Sequence, residues 1–505
     1  MAIKIGKIFQ TGMLLQRSVP LKVEGKGTPG EKIRIMIQGQ QVETLADKEG
    51  RWKLLVQPLE VSFRETMILQ GEKSRIEIGD IAVGEVFVAA GQSNMEFWMR
   101  YEKFYQEMLP LCENPNIRFY DMPKLAYENQ ENDFDYHNAG IWRKASRENL
   151  EYFSSVGYYF ARKLEKELSV PIGIIGCNWG GTKSLAWMEE KHARQIQKEQ
   201  TADFEARLRG QSLEEFYQAA GKNAMNDTGN STWSLFNDFI LPRTPSQEEF
   251  HTFLEQNGMQ WDMSAAKPQD APGALYRHMV QRLAPYTVRA ILWYQGESDD
   301  EINGTQENYK IALDTIKKDW REAWENPELP FFVVQLPGFS SWFFCNNQNF
   351  SLIRKCQQKS VDEDVNAFLC SVSDAGEELD IHPKNKKVVG ERLALLAEKY
   401  LFGKDILADA PVLKNATREE NRITLVFEHA EGGLYVDGEM INALVVLENG
   451  CERDYEFTIV DNCVVLELPE GTYGRLAVSF AHTPWYRVNL YNRADIPAIP
   501  FEVYF

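Results

Sequence analysis

The chain has 505 residues, 44% hydrophobic and 26% charged, a composition that supports a large buried core and excludes a disordered chain. Its 74 acidic and 55 basic side chains leave a formal charge of -19, which repels phosphate backbones and anionic bilayers, so neither nucleic acid nor a membrane is expected as a partner. No window approaches the ~20 apolar residues of a membrane span.

Seven cysteines without a CxxC pair do not read as a disulfide framework. The opening residues MAIKIGKIFQTGMLLQ lack the apolar run and small-residue cleavage site of a secretory signal. The expectation is a cytoplasmic protein of roughly two to four domains, with a secreted protein whose signal has been removed as the alternative.

Residues 1–80 alternate apolar and polar side chains in short runs, as in LKVEG at 21–25 and KIRIMIQG at 32–39, separated by turns such as Thr28-Pro29-Gly30. This pattern predicts a small N-terminal β domain. From residue 81 the rhythm changes to continuous apolar runs: VFVAAG at 86–91, PIGIIG at 171–176, RAILWYQG at 289–296, PFFVVQLPG at 330–338 and AFLCSVSD at 367–374. Between them, 151–169, 304–324 and 385–401 carry apolar residues at helical spacing. Buried strands alternating with amphipathic helices predict a parallel sheet covered on both faces, an α/β domain over 81–406. Residues 190–270, rich in Gln, Glu and Asn, read as an insertion, and 407–505 as a C-terminal β domain.

Four places carry chemistry. Gly91-Gln92-Ser93-Asn94-Met95 follows a strand and leads into a helix, which exposes the serine hydroxyl at the carboxyl end of the sheet; an ordinary N-capping serine is the plain alternative. Asp380-Ile381-His382-Pro383 puts a carboxylate beside an imidazole on one loop, an arrangement that can hold a tautomer. Asn178-Trp179-Gly180-Gly181-Thr182 brings backbone N–H groups close to a ligand at a strand end. In Trp293-Tyr294-Gln295-Gly296-Glu297-Ser298, the Gln295 amide is a candidate donor to an oxyanion, and Glu297 suits a sugar hydroxyl. Gln92 joins them as a candidate lining residue.

These blocks, in this order, resemble the sialate O-acetylesterases of the SGNH hydrolase superfamily: EVFVAAGQSNMEF, GIIGCNWGGTKSLAWM, VRAILWYQGESD and LDIHPKNKKVVGERLA, with MLLQRSVPLKVEGKGTPGEKIRI ahead of them. FSSVGYYFARKL at 153–164 and WREAW at 320–324 are secondary matches. The resemblance implies an SGNH-type, flavodoxin-like three-layer α/β/α catalytic domain with flanking small all-β domains. It implies Ser93 as nucleophile and His382 as general base. The oxyanion donors it implies are the N–H groups of Ser93 and Gly180, with the Gln295 side chain. Two positions depart from the pattern. Leu379 stands where the superfamily often has Asp, so Asp380 is expected to orient His382, with Asp374 second. Asp299 replaces the usual Asn and removes an amide donor.

The implied reaction is removal of acetyl groups from sugars by acyl transfer through Ser93, with His382 shuttling the proton and a rate limb near neutrality. No metal or organic cofactor is expected. Trp179, Trp187, Trp293 and Tyr294 are candidate stacking faces, Trp187 more in keeping with core, and Arg354 and Arg277 are candidate partners for a sialate carboxylate. Alternatives are an acetylxylan or other plant-oligosaccharide esterase, a general carboxylesterase, and a non-catalytic carbohydrate-binding protein. A metal hydrolase fits least, because the histidines are dispersed. The sequence does not set the oligomeric state.

Overall fold

One strand organises the first part of the chain. Arg75–Gly91 runs for 17 residues, buried almost throughout from Ile81 onward. Its beginning pairs antiparallel with Ser62–Gln70, within the small β segment. Its end pairs parallel with Ile172–Asn178 on one side and with Ala290–Tyr294 on the other. The boundary expected at residue 80 therefore falls inside a continuous strand. Every residue of Ile172–Asn178 and Ala290–Tyr294 is buried, as parallel strands between two covering layers must be. Outside Ile172–Asn178 lies Asn114–Asp121, also parallel, and beyond it Trp142–Ala145, antiparallel. Sequence periodicity did not single out these last two strands.

The computed structural model describes residues 2–130, 139–220, 231–243, 245–259, 262, 264–302, 306–343, 345–346 and 349–505. It is a mixed α/β protein with a central mixed sheet, helices and several small antiparallel sheets. Two compact units divide it, Met1–Phe331 and Phe332–Phe505.

In the first unit the helix expected over 151–169 is Ser155–Leu168, started by the Ser154 hydroxyl accepting from the Gly157 N–H. The helix expected over 304–324 spans Tyr309–Ala323. Within the expected insertion, Glu190–Ile196, Lys198–Arg207, Leu213–Ala219, Ser231–Ile240 and Gln247–Gln256 are helical. Ser212 with Glu215, and Ser246 with Glu249, form capping boxes at two of these starts. Residues 221–230 of the expected insertion lie outside the described residues.

The second unit opens in the strand Phe331–Val334, neighbour of Ala367–Cys370, with helices Phe350–Asp362 and Lys387–Tyr400. Two four-stranded antiparallel sheets follow. Val412–Glu419, Arg422–Glu428, Cys463–Glu467 and Glu456–Val460 form one, and Cys451–Arg453, Leu444–Glu448, Leu476–Phe480 and Phe501–Tyr504 the other. Their core includes Leu425, Phe427, Val446, Leu466, Val478 and Phe480. All seven cysteines are free thiols. Among the described residues, no helix is long and apolar enough to cross a membrane.

Gly91 closes the organising strand at φ 129°, where a β-carbon would stand 2.1 Å from the Tyr294 carbonyl oxygen. Only glycine meets both demands. Gly91→Ala is expected to destabilise the first unit by about 3 kcal/mol, read as a lowered denaturant midpoint. An unchanged midpoint would show that the turn relaxes freely.

Candidate active site

Ser93 is the first residue of a one-turn helix, Ser93–Glu96, which leaves the carboxyl end of the organising strand. Gln92 has extended backbone, and its carbonyl accepts from the N–H groups of Met95 and Glu96 at 2.9 and 3.0 Å. Ser93 is half-buried, whereas Gln92 and Asn94 on either side are buried. A strand that stops and turns at once into a helix leaves this one hydroxyl at the rim of the sheet.

Under the serine lies a buried polar frame. The Gln92 side-chain oxygen accepts from the Gln295 amide at 3.2 Å and from the Ser298 N–H at 3.2 Å, while its amide nitrogen donates to the Ser298 hydroxyl at 3.3 Å. Asp299 accepts from the N–H and hydroxyl of Ser184 at 2.9 and 2.5 Å, from Gln200 at 2.8 Å and from Gln295 at 2.6 Å. Burial pushes the Asp299 carboxyl up, opposed by the bonds from Ser184, Gln200 and Gln295. Gln295 also donates to the Thr182 carbonyl at 3.1 Å, and its own oxygen accepts from the Tyr309 hydroxyl at 3.0 Å. Its amide thus donates to three acceptors of the frame, Gln92, Thr182 and Asp299. Gln92 is likewise a brace. Glu297, buried, accepts from the Asn94 side chain.

Gly180 packs directly against the serine: a β-carbon there would lie 3.2 Å from Ser93 Cβ. Its N–H, the expected oxyanion donor, donates to the Glu96 carboxylate at 2.7 Å. The other Glu96 oxygen pairs with Lys124 Nζ at 2.9 Å, and both side chains are nearly inaccessible. Close by, burial pushes the Asp121 carboxyl up to about 7. Sequence reasoning missed this cluster. Glu96 was visible three residues after Ser93, but Lys124 comes from a different loop with no motif around it.

The aromatic candidates are core. Trp179, Trp187 and Trp293 have 0% exposure and Tyr294 1%. Trp187 and Trp293 meet edge-to-face at 6.1 Å, and both pack against Trp320. The expectation that Trp179, Trp293 and Tyr294 offer stacking faces is therefore corrected, because covalent neighbours on a buried strand end point into the layers.

The second unit carries the His382 loop. The Asp380 carboxylate accepts from the His382 N–H at 2.8 Å and pairs with Lys384 Nζ at 2.7 Å; it lies 3.9 Å from His382 Nδ1, beyond hydrogen-bond length. Burial, then the charges of Lys384 and Lys386, hold the imidazole well below its ordinary pKa of 6.5. The Trp342 ring stands edge-on to it at 4.9 Å. Asp374 is taken by a two-pronged pair with Arg392 at 2.6 and 2.8 Å, which removes it as an orienting acid. Arg354, also buried, donates to the Pro337 and Thr483 carbonyls at 3.3 and 2.9 Å, so it is not placed to greet a substrate carboxylate. Arg277 is exposed, on the first unit.

Among the described residues, no group of three or more His, Cys, Asp or Glu side chains is arranged to hold a metal ion. Comparison with known proteins adds a family. Residues 83–212 and 258–399 match the family model described as carbohydrate esterase, sialic acid-specific acetylesterase. The sialate O-acetylesterase of Homo sapiens is 23% identical over 447 residues, 81% of this chain and 73% of that protein. That of Mus musculus is 23% identical over 77% of this chain and 72% of its own length. Among solved structures, a carbohydrate acetylesterase from Xanthomonas citri superposes with a TM-score of 0.76 at 23% identity, covering 99% of both chains.

The Glu96–Lys124 pair yields a test of the wall behind the serine. Lys124→Met leaves a buried carboxylate without its cation, a change that costs about 3–5 kcal/mol. The double variant Glu96→Gln with Lys124→Met should recover part of this in chemical denaturation. Additive losses would mean that the two side chains do not depend on each other.

Proposed function

The chain belongs to the carbohydrate esterase family of sialic acid-specific acetylesterases, and from that premise we propose that it removes O-acetyl groups from acetylated sugars, sialate first among them, with Ser93 as nucleophile. The single observation that carries the assignment of Ser93 is its place: a half-buried hydroxyl at the strand-to-helix turn, braced by the Gln92–Gln295–Asp299 frame and flanked by Gly180.

In the proposed reaction the Ser93 oxygen attacks the acetyl carbonyl carbon while His382 takes the serine proton. The carbonyl oxygen becomes an oxyanion, for which the Ser93 N–H is the proposed donor. Gly180 forms the wall beside it, a residue without a side chain that leaves room for the acetyl group. His382 then returns the proton to the departing sugar oxygen. In the second half it activates water, which releases acetate from the serine. Asp380 is assigned the positioning of the His382 loop through the backbone bond at 2.8 Å, and Gln295, Gln92 and Glu297 the support of the serine turn.

This reading carries with it an SGNH-type, flavodoxin-like three-layer domain over 81–406, with β domains at 1–80 and 407–505. The sheet supports it at the point where its winding reverses: Ile172–Asn178, with Asn114–Asp121 beyond it, lies on one side of Arg75–Gly91, and the later Ala290–Tyr294 lies on the other. Ser93 and Gln295 follow the two strands between which that fold binds ligands. The proposed partner is an acetylated mono- or oligosaccharide.

Two measurements test the reading. Acetate release from O-acetyl sialic acid, acetylated xylo-oligosaccharides and an aryl acetate should fall at least about 10³-fold in Ser93→Ala; full activity in that variant would remove Ser93 from the mechanism. The pH profile is the second. A base whose pKa is lowered stays neutral to below its ordinary value of 6.5, so the acid limb of kcat/KM should lie below pH 6.5, rather than near neutrality as the residue type alone suggests. A limb at or above 7 would show that His382 is not the titrating base.

A further inference from the structure

The insertion side of the first unit holds a cavity of about 1090 Å³ that is not lined by Ser93, just above the ~300–1,000 Å³ that small-molecule sites occupy. Its walls come from residues 126–129, from the helices Glu190–Ile196 and Leu213–Ala219, and from 271–281. Tyr127 and Tyr217 stack there, ring centroids 4.5 Å apart and 8° from parallel, both half-buried. Tyr217 feels the charges of Glu190 and Arg277, and His278 those of Arg282, Arg277 and Glu128.

Several polar groups in this cavity are uncommitted. Among the described residues, Arg277 enters no ion pair or hydrogen bond, and neither the His278 ring nor the Tyr217 hydroxyl is hydrogen-bonded. His278 is only 8% exposed. Burial lowers its imidazole to about 4, so at neutral pH it offers one donor and one acceptor. The remaining cations are balanced: Arg194 pairs with Glu190 at 2.9 Å and Lys191 with Glu189 at 2.5 Å.

The chemistry of this lining selects a class of ligand. An anion would face Glu128 and Glu190, and an apolar molecule would leave Arg277 and His278 unpaired at a cost. A pyranose has an apolar C–H face for the tyrosines and hydroxyls that both donate and accept. The volume exceeds what one sugar ring fills. We propose that this cavity is a second carbohydrate site, which takes uncharged sugar units of an oligosaccharide on the Tyr127–Tyr217 wall with Arg277 and His278 as hydrogen-bond partners. The loop that contributes Tyr127 leaves Asn114–Asp121, parallel to the strand that delivers Ser93, so it springs from the same edge of the sheet. Lys124 of that loop also holds Glu96 beside the serine. The site therefore extends the proposed esterase reading, from which it borrows the expectation of a sugar ligand, to substrates that are chains.

The test uses the full chain carrying Ser93→Ala, titrated calorimetrically with unacetylated cellotetraose, xylotetraose and lacto-N-neotetraose, and with sialyllactose as the anionic arm. At least one neutral tetrasaccharide should bind, and adding Tyr217→Ala or Arg277→Ala should each weaken it about tenfold. Arg277 is exposed, so its removal keeps the test valid even where the tyrosine variant fails to fold. No binding of any neutral glycan, binding untouched by Arg277→Ala, or tighter binding of sialyllactose than of every neutral glycan would each overturn the proposal. Aryl acetate hydrolysis by the unsubstituted chain judges the esterase reading separately, because its loss leaves the glycan titration to decide the cavity alone.

Discussion

The Asp299 carboxylate sits in the interior with donors from three separate stretches of chain: Ser184 after the glycine loop, Gln200 from the insertion, and Gln295 at the end of its own strand. A buried carboxylate is tolerated only when its lone pairs are met, since an unpaired one costs several kcal/mol. That condition ties the three stretches together. Gln295, held by Asp299, in turn holds Gln92, and Gln92 is the residue from which the serine turn springs. The turn that carries the half-buried Ser93 hydroxyl thus rests, through Gln92 and Gln295, on a buried acid.

This arrangement recasts residues that look like catalytic donors. A strand-end glutamine reads naturally as a group offered to substrate, yet the same side chain, fully buried beside an acid, has its hydrogens claimed. The Glu96–Lys124 pair does comparable work on the other side, fixing Gly180 against Ser93 through a charge-assisted bond to its N–H. Such groups are spent on holding the backbone around Ser93 in place. For acyl transfer this matters, because donors that are already in place need no reorganisation when charge develops. Trp187, Trp293 and Trp320 pack against one another in the core, and Trp187 donates to the Thr182 hydroxyl at 3.0 Å.

Much of the architecture was legible in the residues. Continuous apolar runs such as PIGIIG and RAILWYQG became buried parallel strands because period and β-branching leave few other ways to hide them. The amphipathic stretches became helices near the expected bounds, with Ser154 supplying a cap that a local motif can announce. Asn114–Asp121 and Trp142–Ala145 escaped because their apolar residues are few and interrupted, and pairing rather than pattern makes them strands. Trp179 and Trp293 were misread because only packing decides whether a side chain beside a motif block faces a ligand or the core, whereas Trp187 lies in the core as its reading had it.

What the sequence determined by itself is the chemical alphabet: a serine after a strand, glycines at a second strand end, a histidine beside an aspartate, in an order shared with the carbohydrate esterases. Those signals are local, since turns, strand ends and caps depend on residues a few positions apart. Tertiary structure alone decided which groups are spent on holding the fold. Whether Gln295 faces a ligand or Asp299, whether Asp374 is available or clasped by Arg392, and whether Arg277 stands uncommitted over a cavity all turn on partners distant in the chain. Burial and pairing are properties of the packed interior, where a hydrogen bond or a charge gains its weight from exclusion of water. No spacing of letters encodes that exclusion.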